Sequence, residues 1–161
     1  MIILLMGVSG TGKTTIGRLL AATLGWKFRD ADDFHSAANR AKMAAGVPLD
    51  DADRAPWLGA LRQWIDGELA LGRDAVLACS ALKASYRARL APDPARVRVV
   101  FLTGDPALLA ERLRQREGHY MKAAMLASQL TTLEPPADAL TIDVSASPEE
   151  IVRRIRAGLG R

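Results

Sequence analysis

Gly7-Val-Ser-Gly-Thr-Gly12-Lys13-Thr14 is the stretch that decides the fold. Its glycines let the backbone curl until successive N–H groups point inward, where phosphate oxygens fit. The apolar run Ile2–Met6 before it reads as a buried strand. Lys13–Leu24 after it reads as a helix, with Ile16, Leu19, Leu20 and Leu24 on one face. A strand, a glycine-rich turn and a helix amino terminus in this order make a phosphate-binding loop rather than an ordinary turn. The pattern assigns Gly7, Ser9, Gly10, Thr11, Gly12, Lys13, Thr14 and Thr15 to a nucleoside triphosphate. Lys13 reaches the β- and γ-phosphates, and the Thr14 hydroxyl is the Mg²⁺ ligand.

Outward from the loop, short apolar strands alternate with amphipathic helices. Trp26–Phe28, Ala75–Cys79, Val97–Leu102 and Leu140–Val144 read as further strands. A long helix begins near Asp53 as its cap, with Pro56 in the first turn, and ends at Gly72. Its stripe is Trp57, Leu58, Leu61, Trp64, Ile65 and Leu69. Asp105-Pro106 starts another helix, and Ser147-Pro-Glu-Glu150 resembles a capping box opening the last one. The alternation predicts a single α/β domain, a three-layer α/β/α fold around a five-stranded parallel sheet. Ligands in such folds bind beyond the carboxyl ends of the strands. No repeat or linker divides the chain, and Glu117–Lys122, with Gly118 inside it, reads as a mobile insertion rather than a domain boundary.

Composition narrows the function. The chain has 161 residues, 49% hydrophobic and 25% charged, which suits one globular domain with a sizeable core. The net charge of +4 suits small anionic substrates. No basic run is interleaved with aromatics, so a nucleic-acid partner is not expected. The one cysteine, Cys79, excludes an internal disulfide and fits a reducing, cytoplasmic setting. Ile2–Met6 is too short to span a membrane, so no membrane partner is expected either.

Other features choose among phosphate-binding-loop proteins. The guanine-reading Asn-Lys-x-Asp motif is absent. The strand Ala75–Cys79 runs into Ser80-Ala-Leu-Lys83, without the acid that many motor ATPases place there. Asp30, Asp32 and Asp33 supply acids after the second strand instead. A carboxylate there, Asp32 above all, orients an acceptor hydroxyl or takes its proton. Lys83 and Arg87 stand one helical turn apart, facing one cleft. Arg112 and Arg116 share a helix face just before Glu117-Gly-His119. This resembles the lid of the nucleotide kinase group, around residues 112–124, and that resemblance implies arginines that neutralise charge developing on the γ-phosphate.

At this point the chain resembles the gluconokinase family. The shared blocks are Met6–Lys13; Asp30-Ala-Asp32 with His35; Asn39 to Lys42-Met43; Gly46-Val-Pro-Leu49; Asp50–Leu58; Cys79–Lys83 with Tyr86-Arg87; Gly118-His119 with Lys122; Met125-Leu126; Ser128-Gln129; and Leu133-Glu-Pro-Pro136. The family pattern usually has glycine at position 31, proline at position 36 and two phenylalanines at 120 and 121. This chain has Ala31, Ser36, Tyr120 and Met121.

The resemblance implies phosphorylation of D-gluconate on its 6-hydroxyl with ATP and Mg²⁺. It also implies a fold similar to nucleoside-monophosphate kinases and shikimate kinase. On the same ground Asp32 orients or deprotonates the 6-hydroxyl, and His35 hydrogen-bonds a sugar hydroxyl. Arg54 forks onto the C1 carboxylate, and Lys83 and Arg87 share that anion or the moving phosphate. His119 and Gln129 are further candidates for gluconate hydroxyls. Relatives in that family often pair, so a homodimer is an expectation from the resemblance alone. Two rivals stand beside this reading. One is a shikimate kinase, although the glycine triplet of that family's substrate site is missing. The other is a nucleotide-binding module without turnover, against which intact Lys13, Thr14 and Asp32 speak.

Overall fold

The computed structural model describes residues 1–115 and 119–161, and the side chains of these except residues 119–123. Five parallel strands form one sheet: β1 (Ile2–Met6), β2 (Lys27–Asp30), β3 (Ala75–Ala78), β4 (Val97–Thr103) and β5 (Leu140–Asp143), in the order β2-β3-β1-β4-β5. Seven helices surround it among the described residues. They are α1 (Lys13–Leu24), α2 (Ala37–Ala44), α3 (Asp51–Ala70), α4 (Ala84–Leu90), α5 (Pro106–Arg114), α6 (His119–Thr132) and α7 (Pro148–Leu159). A 3-10 turn, Ala31–Phe34, follows β2 directly.

The β1 sequence explains why both faces are covered. All five residues are fully buried, and successive side chains point to opposite faces. Ile3 and Leu5 join a core with Leu20, Leu109, Val152 and Ile155, under α1, α5 and α7. Ile2, Leu4 and Met6 join a core with Trp57, Leu61, Ile65 and Leu90, under α3 and α4. β1 lies at the centre, with β3 on one side and β4 on the other. The chain reverses its direction of travel across the sheet at β1. The crevice at its carboxyl end is therefore where a ligand belongs. Among the described residues no helix is long and apolar enough to cross a membrane.

Several element ends differ from the sequence reading, each for a local reason. The long helix is capped by Asp50, not Asp53. Asp50 accepts the Asp53 N–H at 2.7 Å and Asp53 returns the favour to the Asp50 N–H at 3.1 Å, a reciprocal capping box that sets the start three residues earlier. Pro56 then lies inside α3 rather than in its first turn. β2 is displaced toward the acids and ends on Asp30, while β3 stops at Ala78. The polar stretch Ala37–Ala44 and the stretch His119–Thr132, whose Leu126 and Leu130 pack on the core, are both helices that the sequence reading did not include. The α7 start is as expected, with Ser147 accepting the Glu150 N–H and Pro148 in the first turn.

Candidate active site

The loop after β1 closes on itself before any ligand is considered. Gly7 has φ 149°, and a Cβ there would come within 2.4 Å of the Leu102 carbonyl oxygen, so only glycine lets β1 and β4 approach. Gly12 caps α1 in the left-handed region at φ 81°. Thr11 is fully buried and its hydroxyl donates to the Val8 carbonyl at 2.8 Å, bracing the turn. Lys13 Nζ reaches the same carbonyl at 3.0 Å.

Thr14 connects the loop to the acids after β2. Its hydroxyl donates to Asp30 Oδ2 at 2.7 Å. Asp30 Oδ1 accepts the Asp32 N–H at 3.1 Å, which orders the turn that carries Asp32. The two acids thus divide. Asp30 faces the loop hydroxyl, and Asp32 is left for something else. A hydroxyl and a carboxylate at this spacing are hard oxygen donors of the kind Mg²⁺ takes. No cluster of three or more His, Cys, Asp or Glu with ligand spacing occurs among the described residues. Mg²⁺ does not require one, because it is commonly held by one or two protein oxygens plus substrate phosphates.

Asp32 keeps surface accessible to solvent, although its neighbours crowd the carboxyl. Withdrawal from bulk water raises its carboxyl above the usual range, and Asp30 adds to that. His35 and Lys13 pull the other way. His35 is buried and stacks on Trp57, with ring centroids 4.6 Å apart. Its imidazole is held below the ordinary value by burial first; Asp32 opposes this, and Arg54 and Arg40 reinforce it. Trp57 donates through Nε1 to the Ala31 carbonyl at 2.8 Å, fixing the turn beneath Asp32.

Arg54 stands beside this pair, with Nη1 3.5 Å from the Tyr86 hydroxyl. The Tyr86 hydroxyl donates to Asp51, and Lys83 Nζ pairs with the same carboxylate at 2.8 Å. These two hydrogen bonds hold the Asp51 carboxyl below the usual range, Lys83 contributing more than Tyr86.

The expectation that Lys83 and Arg87 face one cleft does not hold. Lys83 is the extended cap of α4, with φ −88° and ψ 142°, so helical spacing does not relate its side chain to that of Arg87. Arg87 instead donates Nη1 to the Ala81 and Leu82 carbonyls, each at 3.0 Å. That bond pins the loop after β3, where Ala81 is fully buried at φ 44°. The rest of Arg87 lines a groove with Val97, Leu140 and Gly158, at the amino ends of β4 and β5. Gln129 is not turned toward an acceptor through its oxygen, because Oε1 accepts the Ser9 N–H at 2.6 Å.

On the other side of the loop, Arg112 donates Nη2 to the Val144 carbonyl at 2.7 Å. It lines a cavity of about 430 Å³ together with Gly10, Gly12, Thr15, Ala146 and Pro148. Arg116 and the side chain of His119 lie outside the described residues. Cys79 is sealed in the core, and burial pushes its thiol up to about 12, which suits packing and not nucleophilic attack. Asp30 and Arg112 are where the sequence reading was least specific. The spacing Asp-x-Asp after a strand identified the first only as one of three acids, and nothing local marked the second as a neighbour of Pro148.

Comparison with known proteins identifies the family. The family model described as shikimate kinase matches residues 9–159. A gluconokinase of Gluconobacter oxydans is 45% identical, over 96% of this chain and 91% of its own. The structure of a gluconokinase from Sinorhizobium meliloti superposes with a TM-score of 0.87 at 42% identity, covering 99% of this chain and 91% of that one. A shikimate kinase from Aquifex aeolicus is 20% identical with a TM-score of 0.62, covering 99% of this chain and 96% of that one, a likeness of fold alone. Matched along almost its whole length, the chain belongs to the shikimate kinase family of ATP-dependent kinases and, within it, to the gluconokinases.

Proposed function

We propose that the protein transfers the γ-phosphoryl group of ATP to the 6-hydroxyl of D-gluconate. The observation that carries this reading is the hydrogen bond from Thr14 to Asp30, which leaves Asp32 beside Lys13 and His35, with Arg54 next to that histidine. The kinship with gluconokinases names the sugar acid.

The chain's residues then take these roles. Arg112, braced on Val144 beside Gly10 and Gly12, neutralises charge that develops on the γ-phosphate. The loop amides from Gly7 to Thr15 and Lys13 take the phosphates. Thr14 and Asp30 would hold Mg²⁺, which when bound spreads the negative charge of the transferring group. Arg54 receives the C1 carboxylate of gluconate, where a planar fork matches two oxygens. Lys83, bridged to Asp51, holds the rim of that pocket. Asp32 accepts the proton of the 6-hydroxyl as the new O–P bond forms and the bond to ADP breaks, and then returns it to solvent. The raised carboxyl of Asp32 suits that task, because a more basic carboxylate is a better acceptor. The segment 112–124, with Arg116 and His119, is the lid that excludes water.

ADP release by the purified protein, measured with gluconate, with shikimate and with no acceptor, tests the reading. Release with gluconate alone supports it. Release with shikimate alone moves the substrate, and release indifferent to acceptor leaves an ATPase.

A further inference from the structure

The buried ring of His35 has an environment more specific than packing requires. It lies parallel to the Trp57 indole, with an angle of 8° between the planes. One edge of the imidazole meets Asn39, itself buried, whose Nδ2 is 3.4 Å from His35 Nδ1. The same Nδ2 donates to the Asp53 backbone carbonyl at 2.9 Å. A carbonyl oxygen only accepts, so this second contact fixes which end of the Asn39 amide is nitrogen. Turned over, the amide would set two oxygens against each other. The remaining Nδ2 hydrogen is then available to His35 Nδ1, which must accept it. An accepting Nδ1 carries a lone pair, and the neutral ring's hydrogen sits on Nε2.

We infer that Asn39 is a positioning residue that holds His35 as the neutral Nε2–H tautomer, and that this N–H is a fixed donor to an oxygen of the acceptor substrate. The second half rests on the kinase reading above; the first does not. Nε2 has no hydrogen-bond partner among the described residues. The one sealed, unpartnered side-chain nitrogen or oxygen among them is Arg156 Nε, so His35 Nε2 is not sealed from solvent.

The charged groups facing the ring are Asp32 from the 3-10 turn, Arg40 from α2 and Arg54 from α3. Two cations and burial outweigh one carboxylate, and all favour the uncharged ring. A ring in this state cannot take the acceptor's proton, since its Nε2 already carries one and its Nδ1 faces Asn39. The base is therefore Asp32, and His35 contributes recognition of a hydroxyl or carboxylate oxygen. Lys42 pairs with Asp53 at 2.7 Å and so ties α2, which carries Asn39, to the start of α3.

The chain has two histidines, so nuclear magnetic resonance can read this state directly. Long-range proton–nitrogen correlation on ¹⁵N-labelled protein, with His119→Gln identifying the signals, should show His35 in the Nε2–H pattern at neutral pH. Asn39→Asp places an acceptor against Nδ1 and should move the hydrogen there and raise the protonation midpoint. In kinetics, His35→Phe keeps the stack on Trp57 without a donor and should raise the gluconate KM about tenfold, as loss of one hydrogen bond does. His35→Gln, which retains an N–H near Nε2, should stay within about threefold, with the ATP KM little changed in both. An Nδ1–H tautomer or an imidazolium at pH 7 in the unaltered protein overturns the assignment. Equal gluconate KM values in the Gln and Phe variants overturn the donor role. The resonance experiment uses no substrate, so failure of the gluconokinase reading is seen separately in the ADP assay.

Discussion

Trp57→Phe is the perturbation whose effect follows most directly from the geometry. Phe keeps an aromatic ring against His35 but removes the N–H that binds the Ala31 carbonyl at 2.8 Å. Trp57 is 5% exposed and Ala31 1%, so water cannot replace the lost donor. A buried carbonyl left without a partner costs about 1–3 kcal/mol. The volume of the missing pyrrole portion adds on the order of 1 kcal/mol as a cavity. A total of about 3 kcal/mol in a chain of 161 residues lowers Tm by roughly 6–12 °C. The same bond fixes the turn that carries Asp32, so kcat at 25 °C should fall roughly tenfold through misplacement of the acceptor's base. The ATP KM should hold, because the phosphate loop makes no contact with Trp57 through this bond. Calorimetry and steady-state kinetics on one preparation give all three quantities. An unchanged Tm with unchanged kcat would refute the claim that this bond supports the site.

Three further variants test the acids and the histidine. Asp30→Asn should raise the Mg²⁺ concentration for half-maximal rate about tenfold, read from a metal titration, because Thr14 loses its charged partner. Asp32→Asn should lower kcat at least about 100-fold. It should also raise Tm at pH 7. A carboxyl held above its usual value destabilises the fold once ionised, so stability is lost as pH rises through the raised value, and an amide escapes that loss. His35 works in the opposite direction. Its folded value lies below 6.5, so its contribution is intact above that pH and is lost as pH falls beneath it. Thermal unfolding of His35→Gln should therefore show a shallower loss between pH 6.5 and 5 than the unaltered protein.

Much of this site was legible along the chain because its chemistry is local. The phosphate loop, the strand before it and the helix after it are contiguous, and Asp32 follows β2 by two residues. The alternation of apolar strands with striped helices also gave the layers and the strand count. What was not legible depends on distant neighbours or on two acids of equal standing. Gln129 meets Ser9 across 120 residues, and Arg112 meets Val144 across 32, so no spacing rule predicts either bond. Asp50 and Asp53 both suit a helix cap, and only their mutual bonds decide which one starts the helix. Lys83 and Arg87 have helical spacing, but the helix begins between them and the rule fails there.

The most direct test of the central claim is the position of the new phosphate. The product of a reaction containing the protein, ATP, Mg²⁺ and D-gluconate can be examined by phosphorus–proton correlation. The account predicts a phosphorus signal coupled to the two methylene protons at C6, appearing at the rate of ADP formation. Coupling to any other carbon's proton, or no phosphorylated sugar acid while ADP accumulates, would contradict it.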